Sequence, residues 1–445
     1  MSGETIFALA SGGGRVGLAV VRVSGPAAGS ALLSLTGKKI LPRPRRATRA
    51  LLRHPDHDEI LDDGLVLWFP APASHTGEDV AELHVHGGRA VSLGVLEALA
   101  ACPGLRPAEA GEFTRRAFVN GKLDLTAAEG IADLVGAETA AQRRQALRQV
   151  GGELANLYED WRRRLLAVLA HMEASIDFSD EPLPADLEAS VRQQAAALGD
   201  EMAAHLDDGR RGERLRDGIY LAIIGAPNVG KSSLLNALAQ RDAAIVSTIA
   251  GTTRDVIEVH LDLGGYPLTV ADTAGLRDSD DEIEREGVRR ARGRAEDADL
   301  RLAVFDAEAW PEIDMATADL VNGDTLVVVN KADRVSPAPP LVVGGRPARA
   351  VSALTGAGLD GLLEELEAAL IERWDASASL APTRVRHRAA VGECQAALRR
   401  ALAAESGELA AEDLRLASRA LGRITGRVDV EDLLDVIFAD FCIGK

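Results

Sequence analysis

The chain has 445 residues, of which 47% are hydrophobic and 27% charged, and its net charge is −18. This length predicts about three domains that can each bury a core, and the hydrophobic content excludes a disordered chain. The acidity argues against a protein that coats nucleic acid with its whole surface. With three cysteines, no C-x-x-C pair, no signal-like N-terminus and no run of about 18 uncharged apolar residues, we expect a cytoplasmic protein without a membrane span.

Charge is distributed unevenly along the chain. Residues 1–118 carry 13 basic and 12 acidic residues, whereas residues 218–378 carry 15 basic and 27 acidic residues. Separate domains would account for this difference. Arginine clusters occur within residues 43–53, 143–164 and 384–388. Each cluster fits either a solvated face or a local strip that binds phosphates.

The first segment, residues 1–118, has the pattern of a mixed α/β domain. Apolar, β-branched runs predict strands over residues 16–23, 64–69 and 80–86. A helix is predicted over residues 91–101, because a Pro-Gly pair follows and stops it.

The rest of the chain alternates between two patterns. Residues 119–217 and 379–445 are rich in helix-forming residues and predict helices. Residues 218–378 alternate strand-like and helical runs, as in a parallel α/β sheet. The economical arrangement is one discontinuous helical domain, formed by both flanks, with an α/β domain inserted into it. The predicted fold class is therefore multidomain, α/β plus all-α.

A phosphate-binding loop is the clearest motif. The strand predicted over Ile219–Ile224 leads into residues 225–232, which read G-x-x-x-x-G-K-[ST]. The glycines allow backbone N–H groups to surround a β-phosphate, and Lys231 places a charge at the β- and γ-phosphate oxygens. Ser232 offers its hydroxyl to Mg²⁺, and the positive end of the following helix dipole faces the phosphates.

Three further motifs follow predicted strands and indicate a guanine nucleotide. Asp272 begins a D-x-x-G motif, whose Asp can hold the Mg²⁺ shell through water and whose Gly N–H can reach the γ-phosphate. Residues 330–333 read N-K-A-D, and Asp333 can accept both N1–H and the exocyclic amine of guanine, a pattern that adenine lacks. Ser352 and Ala353 follow the next strand-like run and would close over the base.

A loop with paired threonines, residues 247–255, lies between the first two motifs and is predicted to be the first switch. Thr253 would complete the Mg²⁺ shell only when the γ-phosphate is bound. Many small GTPases have a water-orienting Gln directly after D-x-x-G, and here that position is Leu276. A substitute is expected from the acidic run 278–286 or from Arg277, between which the sequence does not distinguish.

Together these motifs predict a GTP site with Mg²⁺. The residues expected to contact GTP lie in the phosphate loop, the switch loop and the three further motifs. They are Asn228, Val229, Gly230, Lys231, Ser232, Ser233, Ser247, Thr248, Thr252, Thr253, Asp272, Thr273, Ala274, Gly275, Asn330, Lys331, Asp333, Ser352 and Ala353.

The same motifs, with segments at both ends of the chain, carry a resemblance to a known family. The sequence reads GAPNVGKSS at the phosphate loop, IAGTTRD at the switch, DTAGLR at D-x-x-G and FCIGK at the C-terminal end. The N-terminal segments HTGEDVAELHVHGG and GEFTRRAFVNGKLDLTAAEGIADL also match. Over essentially its whole length, the chain resembles the tRNA modification GTPases of the MnmE/TrmE type, and the terminal segments are the more specific part of the match.

The resemblance implies three parts: an N-terminal α/β domain that binds folate and forms a homodimer, a helical domain, and an inserted Ras-like P-loop GTPase domain. It also implies a reaction. With a flavoprotein partner of the MnmG/GidA type, in a heterotetramer, the family adds a carboxymethylaminomethyl or aminomethyl group to carbon 5 of the wobble uridine of certain tRNAs. A one-carbon unit from 5-formyltetrahydrofolate or a related reduced folate is used, and the partner brings FAD and NADH. K⁺-stimulated hydrolysis coupled to G-domain dimerisation is implied as well.

Individual roles follow from the same resemblance. It implies that Glu284 positions the hydrolytic water. The implied K⁺ site takes oxygens from Asn228, Ser247, Ile249 and Thr252. The implied folate site is formed by Arg22, Glu82, Lys122 and Lys445. Cys442 is implied to lie near the folate with a chemical role, whereas the residues alone predict a small buried thiol.

Two alternative functions have different consequences. A ribosome-assembly switch similar to the Era or Der GTPases would share the G domain, but it would add a KH domain or a second G domain, and neither is evident after residue 378. A folate enzyme with a regulatory G domain would have no link to RNA. Separately, His84 and His86 share one face of a predicted strand and fit satisfied strand histidines better than a metal site, because no third ligand is evident.

Overall fold

The computed structural model describes residues 3–12, 14–177, 187–240, 258–271, 293, 297–310, 312–336, 341–374, 380–428, 431–439 and 441–444. The chain divides into two compact units. The first unit comprises Met1–Ala132, Gln149–Pro182 and Ala404–Lys445, and the second comprises Asp133–Arg148 and Leu183–Ala403. No helix in the described ranges is long and apolar enough to cross a membrane.

A six-stranded sheet forms the N-terminal part of the first unit. Its strands are β1 (Thr5–Leu9), β2 (Leu18–Ser24), β3 (Thr48–Arg53), β4 (Ile60–Phe69), β5 (Val80–His86) and β6 (Leu105–Pro107). The strand order is β3-β4-β5-β2-β1-β6, in which β1 and β6 are parallel and the other pairs are antiparallel. The predicted strand over residues 16–23 begins at Leu18, where pairing with His86 starts.

The two faces of this sheet differ. Helices α1 (Ala28–Thr36) and α2 (Arg89–Ala101) supply apolar side chains to a core that covers one face, and alternate residues of β2 and β5 such as Val21 and Leu83 are fully buried there. The intervening residues of each strand point to the opposite face of the sheet, which is half-buried.

The remaining helices of the first unit are α3 (Glu112–Val119), α6 (Glu153–Asp177), α13 (Gly407–Thr425) and α14 (Glu431–Ala439). Helices α4 (Leu125–Gly136) and α5 (Ala140–Val150) contain the boundaries between the units. α13 packs along α6, and a small core joins Phe438 and Phe441 to Leu125.

A seven-stranded sheet forms the centre of the second unit. Its strands are β7 (Ile219–Ile224), β8 (Glu258–Leu263), β9 (Tyr266–Ala271), β10 (Leu300–Asp306), β11 (Thr325–Asn330), β12 (Leu341–Val343) and β13 (Arg346–Ala350). The order is β12-β13-β11-β10-β7-β9-β8, and the five central strands are parallel, as predicted. The antiparallel edge strands β8 and β12 were not predicted. A Gly-Gly turn with positive φ joins each of them to its neighbour.

The described helices of the second unit are α7 (Leu187–Leu206), α8 (Arg211–Asp217), α9 (Lys231–Ala239), α10 (Met315–Ala318), α11 (Leu359–Trp374) and α12 (Val385–Ala403). Apolar cores cover both faces of the sheet. α12 packs along α7, so the α6–α13 and α7–α12 pairs each join a helix before residues 218–378 with one after them. A single discontinuous helical domain, with boundaries at residues 118, 217 and 378, stays a prediction.

Candidate functional site

The phosphate loop spans residues 225–230, between the end of β7 and the first residue of α9, as predicted. Two of its glycines are required by close approaches. A Cβ at Gly225 would lie 2.4 Å from the carbonyl oxygen of Val304, and a Cβ at Gly230 would lie 2.4 Å from Nδ2 of Asn330. Gly230 also has a φ of 95°, which residues with a side chain rarely adopt. The loop backbone therefore packs directly against β10 and the last residue of β11.

Lys231 folds back over this loop. Its Nζ donates hydrogen bonds to the carbonyl oxygens of Gly225 and Ala226, at 2.9 Å each. Ser232 and Ser233 follow in the first turn of α9, where backbone N–H groups have no partner within the helix. One ammonium group, two hydroxyls and the positive end of a helix dipole are thus gathered at one place, a combination that binds phosphate.

Asn330 joins the phosphate loop to the segment predicted to close over the base. Its side chain is buried at the end of β11. Nδ2 donates to the carbonyl oxygen of Val229 at 2.9 Å, and Oδ1 accepts from the N–H of Ala353 at 3.0 Å. Because both ends of the amide are used, this one side chain fixes the spacing between three motifs that are far apart in sequence.

The next residue, Lys331, forms an ion pair that was not predicted. Its Nζ lies 2.5 Å from Oδ2 of Asp306, the last residue of β10, which is opposite Asn330 in the parallel register. The second oxygen of Asp306 accepts the N–H of Glu308 at 3.0 Å, so the carboxylate is held from both sides. A signal was present in the sequence, because Asp306 ends the strand adjacent to the N-K-A-D strand, and ligands of parallel sheets bind at such strand ends.

Asp333 lies in the 3₁₀ turn Ala332–Arg334 and is exposed. A hydrogen bond from the Ser352 hydroxyl lowers the pKa of the Asp333 carboxyl. The carboxylate is therefore ionised at neutral pH and can accept two hydrogen bonds from one partner. Ser352 is itself fully buried, and its Oγ also accepts the N–H of Thr355 at 3.1 Å.

Eleven predicted residues lie outside the described residues. β9 ends at Ala271, directly before the D-x-x-G motif, as predicted. The predicted residues that follow this strand, or that belong to the switch loop or the chain end, are Ser247, Thr248, Ile249, Thr252, Thr253, Asp272, Thr273, Ala274, Gly275, Glu284 and Lys445.

A second polar cluster lies on the half-buried face of the first unit's sheet. Arg22 of β2 is opposite Glu82 of β5, and their side chains form an ion pair with an Nη2–Oε1 distance of 3.0 Å. The other oxygen of Glu82 lies 3.3 Å from Nε2 of His84. The guanidinium carbon of Arg22 lies 5.8 Å from the ring centroid of Phe113, a cation–π distance. Two of the predicted folate residues are thus brought together.

The other residues predicted for this site are placed differently. Nζ of Lys122 donates to the carbonyl oxygen of Pro72 at 3.1 Å. Cys442 is exposed, so the prediction of a buried thiol was wrong, because the aromatic residue before it fills the core instead. Ile443 forms an isolated bridge with Ala110, which holds the C-terminal segment on the first unit.

The two histidines of β5 have separate carboxylate partners. Nδ1 of His86 lies 2.8 Å from Oδ1 of Asp62, whereas His84 contacts Glu82. Among the residues that the structure describes, no group of three or more His, Cys, Asp or Glu side chains is arranged to hold a metal ion. Each of the two histidines has a carboxylate partner, as expected for satisfied strand histidines.

Two family models match the chain. The N-terminal model of the GTP-binding protein TrmE matches residues 5–122, and the MnmE helical domain model matches residues 125–442. The tRNA modification GTPase MnmE of Rhodospirillum rubrum is 60% identical over the whole of both chains. The protein of that name from Paramagnetospirillum magneticum is 61% identical over 99% of this chain and 100% of its own. The chain belongs to the MnmE family of tRNA modification GTPases.

Solved structures match part of this MnmE-family chain. Era from Aquifex aeolicus bound to GDP.AlF4⁻ is 26% identical over 40% of the chain and 66% of its own, with a TM-score of 0.27. The FeoB G domain from Methanococcus jannaschii is 25% identical over 34% of the chain and 97% of its own, with a TM-score of 0.25. Membership of the MnmE family, rather than these partial matches, makes the chain a GTPase.

Of the residues predicted to bind Mg²⁺ and K⁺, the structure describes only Ser232 and Asn228. Ser232 offers a hydroxyl oxygen in the first turn of α9, next to Lys231, and oxygen is the ligand that Mg²⁺ prefers. Asn228 is exposed in the phosphate loop and has a φ of 63°, in the left-handed region that Asn adopts more readily than most residues. The other predicted ligands of both ions are outside the described residues.

Proposed function

We propose that the chain is the GTP-hydrolysing subunit of an enzyme that modifies the wobble uridine of tRNA. With an FAD-dependent flavoprotein of the MnmG/GidA type, it would add a carboxymethylaminomethyl or aminomethyl group at carbon 5. The observation that carries the nucleotide part is the Asn330 side chain, which ties the phosphate loop and the base-closing segment into one site. The similarity over the full length of relatives named tRNA modification GTPase supports the tRNA part.

In this proposal different residues of the second unit bind the phosphates, the guanine base, Mg²⁺ and the attacking water of GTP hydrolysis. Lys231 and the first turn of α9 neutralise the β- and γ-phosphates, and Asp333 selects guanine. Mg²⁺, held by Ser232 and Thr253, would offset charge that develops on the phosphate oxygens. Glu284 would orient the attacking water by accepting its hydrogen bond, since Leu276 lacks the group to do so.

The K⁺ part of the proposal rests on Asn228, with Ser247, Ile249 and Thr252 as further oxygen donors. A monovalent cation there would supply the positive charge that an arginine finger supplies elsewhere. Hydrolysis should then be faster in KCl than in NaCl at equal ionic strength. Equal rates in the two salts would remove the K⁺ site from the proposal and leave the rest intact.

The first unit would bind the reduced folate and form the homodimer. Arg22 and Glu82 suit the carboxylates and the amine edge of a folate, respectively. The C-terminal segment reaches this sheet, because a Cβ at Gly444 would lie 2.2 Å from the carbonyl oxygen of Leu9, in the strand next to Arg22. This contact supports a role of Cys442 near the folate, and the proposal adds Lys445 to the same site. The partner would bring FAD and NADH.

Nucleoside analysis of tRNA tests the proposal as a whole. A strain that lacks the protein should lose the 5-substituted wobble uridines. The wild-type chain should restore them, and the Lys231→Ala variant should not. Unchanged wobble uridines in the deletion strain would contradict the proposal and leave a ribosome-assembly or purely folate-linked role.

A further inference from the structure

The first unit carries a strongly basic loop, residues 38–46, between α1 and β3. No acidic residue occurs from Lys38 to Arg53 in the sequence. The charged side chains of the basic loop, all exposed, are Lys38, Lys39, Arg43, Arg45 and Arg46. The whole of residues 1–118 is nearly neutral, with 13 basic and 12 acidic residues, so this loop is a local concentration of positive charge.

The neighbouring arginines of β3 provide an internal comparison. Arg49 forms a bidentate pair with Asp63, and Nη1 of Arg53 lies 3.2 Å from a carboxylate oxygen of Asp58. By contrast, none of the five basic side chains of the loop has a carboxylate partner among the residues that the structure describes. Uncompensated exposed charges of one sign attract a ligand of the opposite sign more strongly than paired ones do.

Hydrogen bonds hold the second half of the basic loop, residues 43–46. A turn closes where the N–H of Arg46 donates to the carbonyl oxygen of Arg43 at 3.2 Å, and within it Arg45 has a φ of 57°. The N–H of Arg45 donates to the carbonyl oxygen of Trp68 at 2.8 Å, and its guanidinium donates to that of Ala73. A ligand that binds residues 43–46 pays little entropy to order this turn, because these hydrogen bonds already hold it.

A further cation lies beside the loop. Lys122 donates to the carbonyl oxygen of Pro72, and Arg45 donates to that of Ala73, so both side chains lie at the turn after β4. The two contacts place the ammonium group of Lys122 beside the basic loop.

We propose that the basic loop binds the phosphodiester backbone of tRNA and positions it on the first unit. The inference rests on the proposed function, and it assigns the surface that meets the RNA. Arginine suits this task because its planar guanidinium can donate two hydrogen bonds to one phosphate. Such contacts fix the position of the RNA and carry no sequence information. An anionic membrane is the less suitable ligand, because the charges lie on a fixed turn rather than on an amphipathic helix.

Two matched double variants of the full-length chain test the proposal. Arg43→Gln/Arg46→Gln removes two unpaired charges, and Arg49→Gln/Arg53→Gln removes two paired charges from the same domain. Fluorescence anisotropy with an unmodified tRNA transcript should show about tenfold weaker binding for the first variant at low salt. The slope of log K against log salt concentration should be shallower by roughly two, because each lost phosphate contact lowers it by about one. The second variant should bind nearly as the wild type does, and both should hydrolyse GTP at the wild-type basal rate.

Each other outcome has a definite meaning. Unchanged tRNA affinity in Arg43→Gln/Arg46→Gln, or an equal loss in both variants, would overturn the assignment. So would a selective loss of binding to vesicles that contain phosphatidylserine. If the wild-type chain restores wobble-uridine modification in the deletion strain while the first variant keeps its tRNA affinity, the inference fails and the proposed function stands. If the wild type restores nothing, the proposed function itself fails.

Discussion

The two sheets of the molecule carry their polar residues in different places. In the mostly parallel sheet of the second unit they lie where strands end: the phosphate loop after β7, Asp306 at the end of β10 and Asn330 at the end of β11. In the mostly antiparallel sheet of the first unit, Arg22 and Glu82 lie within strands and point to one face. Parallel strands bring their carboxyl ends to a common edge, whereas antiparallel strands have no such edge and can offer only a face.

The largest expected effect lies at the strand-end site. Lys231→Ala should lower kcat/KM for GTP by more than about 100-fold, because the proposed site would lose a preorganised charge at the transferred phosphate. A charge removed elsewhere in the second unit serves as the control: Arg373→Gln breaks a partly exposed pair with Asp324 and should leave kcat/KM nearly unchanged. Steady-state GTP hydrolysis measures both. A similar loss in the two variants would mean that net charge, rather than the loop geometry, matters.

The same contrast explains what the sequence could predict. The sequence could single out the residues of the phosphate loop and of N-K-A-D individually, because a site at strand ends consists of short contiguous motifs with fixed spacing. Asp306 was missed because it comes to the site through the β10–β11 register, with no motif of its own. The edge strands β8 and β12 were also missed, although their Gly-Gly turns were visible in the sequence.

The polar cluster on the half-buried face of the first unit's sheet could not be predicted from periodicity. The alternation of β2 and β5 shows that Arg22 and Glu82 share a face, but it does not show that they are opposite each other, because the pairing register is a tertiary property. Only the family resemblance singled them out. Cys442 was misplaced for a related reason: burial near the chain end depends on which neighbour fills the core.

The second prediction concerns the strand-end residue that carries no motif. Asp306→Ala should weaken the binding of a fluorescent GDP by about tenfold, because the ammonium of Lys331 loses the carboxylate that holds it beside the base-binding segment. kcat should change less than KM, since no reacting atom is touched. The control is Glu308→Gln, which breaks the adjacent but more exposed pair with Arg334. A loss of kcat alone, or an equal effect of Glu308→Gln, would show that Asp306 does not position Lys331.

The third prediction concerns the stability of the second unit. Burial lowers the pKa of His205 to about 4, against the attraction of Asp208. The unfolded chain takes up this proton near pH 6.5, whereas the folded chain takes it up only near pH 4. This part of the stability is therefore complete above pH 6.5 and is lost as the pH falls to about 4, and a pKa shift of that size corresponds to about 3 kcal/mol. His205→Gln should remove this part of the pH dependence.

Tryptophan positions allow the second unit to be followed alone. Trp310 and Trp374 lie in it, while Trp68 and Trp161 lie in the first unit. Urea unfolding of a Trp68→Phe/Trp161→Phe background, with and without His205→Gln, should give curves that diverge between pH 6.5 and 4. Parallel curves over that range would show that His205 titrates alike in the folded and unfolded chain.

The smallest expected effect is in the first unit and has a different pH window. Burial opposes ionisation of Glu112, but hydrogen bonds from Arg106 at 2.7 Å and Arg116 at 3.0 Å outweigh it and lower the pKa of the carboxyl to about 2. Because the unfolded carboxyl titrates near pH 4.5, this stability is present above that pH and is lost as the pH falls towards 2. We expect about 0.5 kcal/mol, since solvent reaches Arg106 and screens the pair.

Glu112→Gln should therefore lower the free energy of unfolding of the first unit at pH 7, and the difference from the wild type should shrink between pH 4.5 and 2. Urea unfolding in a Trp310→Phe/Trp374→Phe background measures it, because the two remaining tryptophans report on the first unit. Glu4→Gln is the matched control, as it removes a more exposed carboxylate from the same Arg106. If the free energy of unfolding of Glu112→Gln depends on pH as that of the wild type does, Glu112 is not the group that titrates. The difference in pH window between the two units would then need another cause.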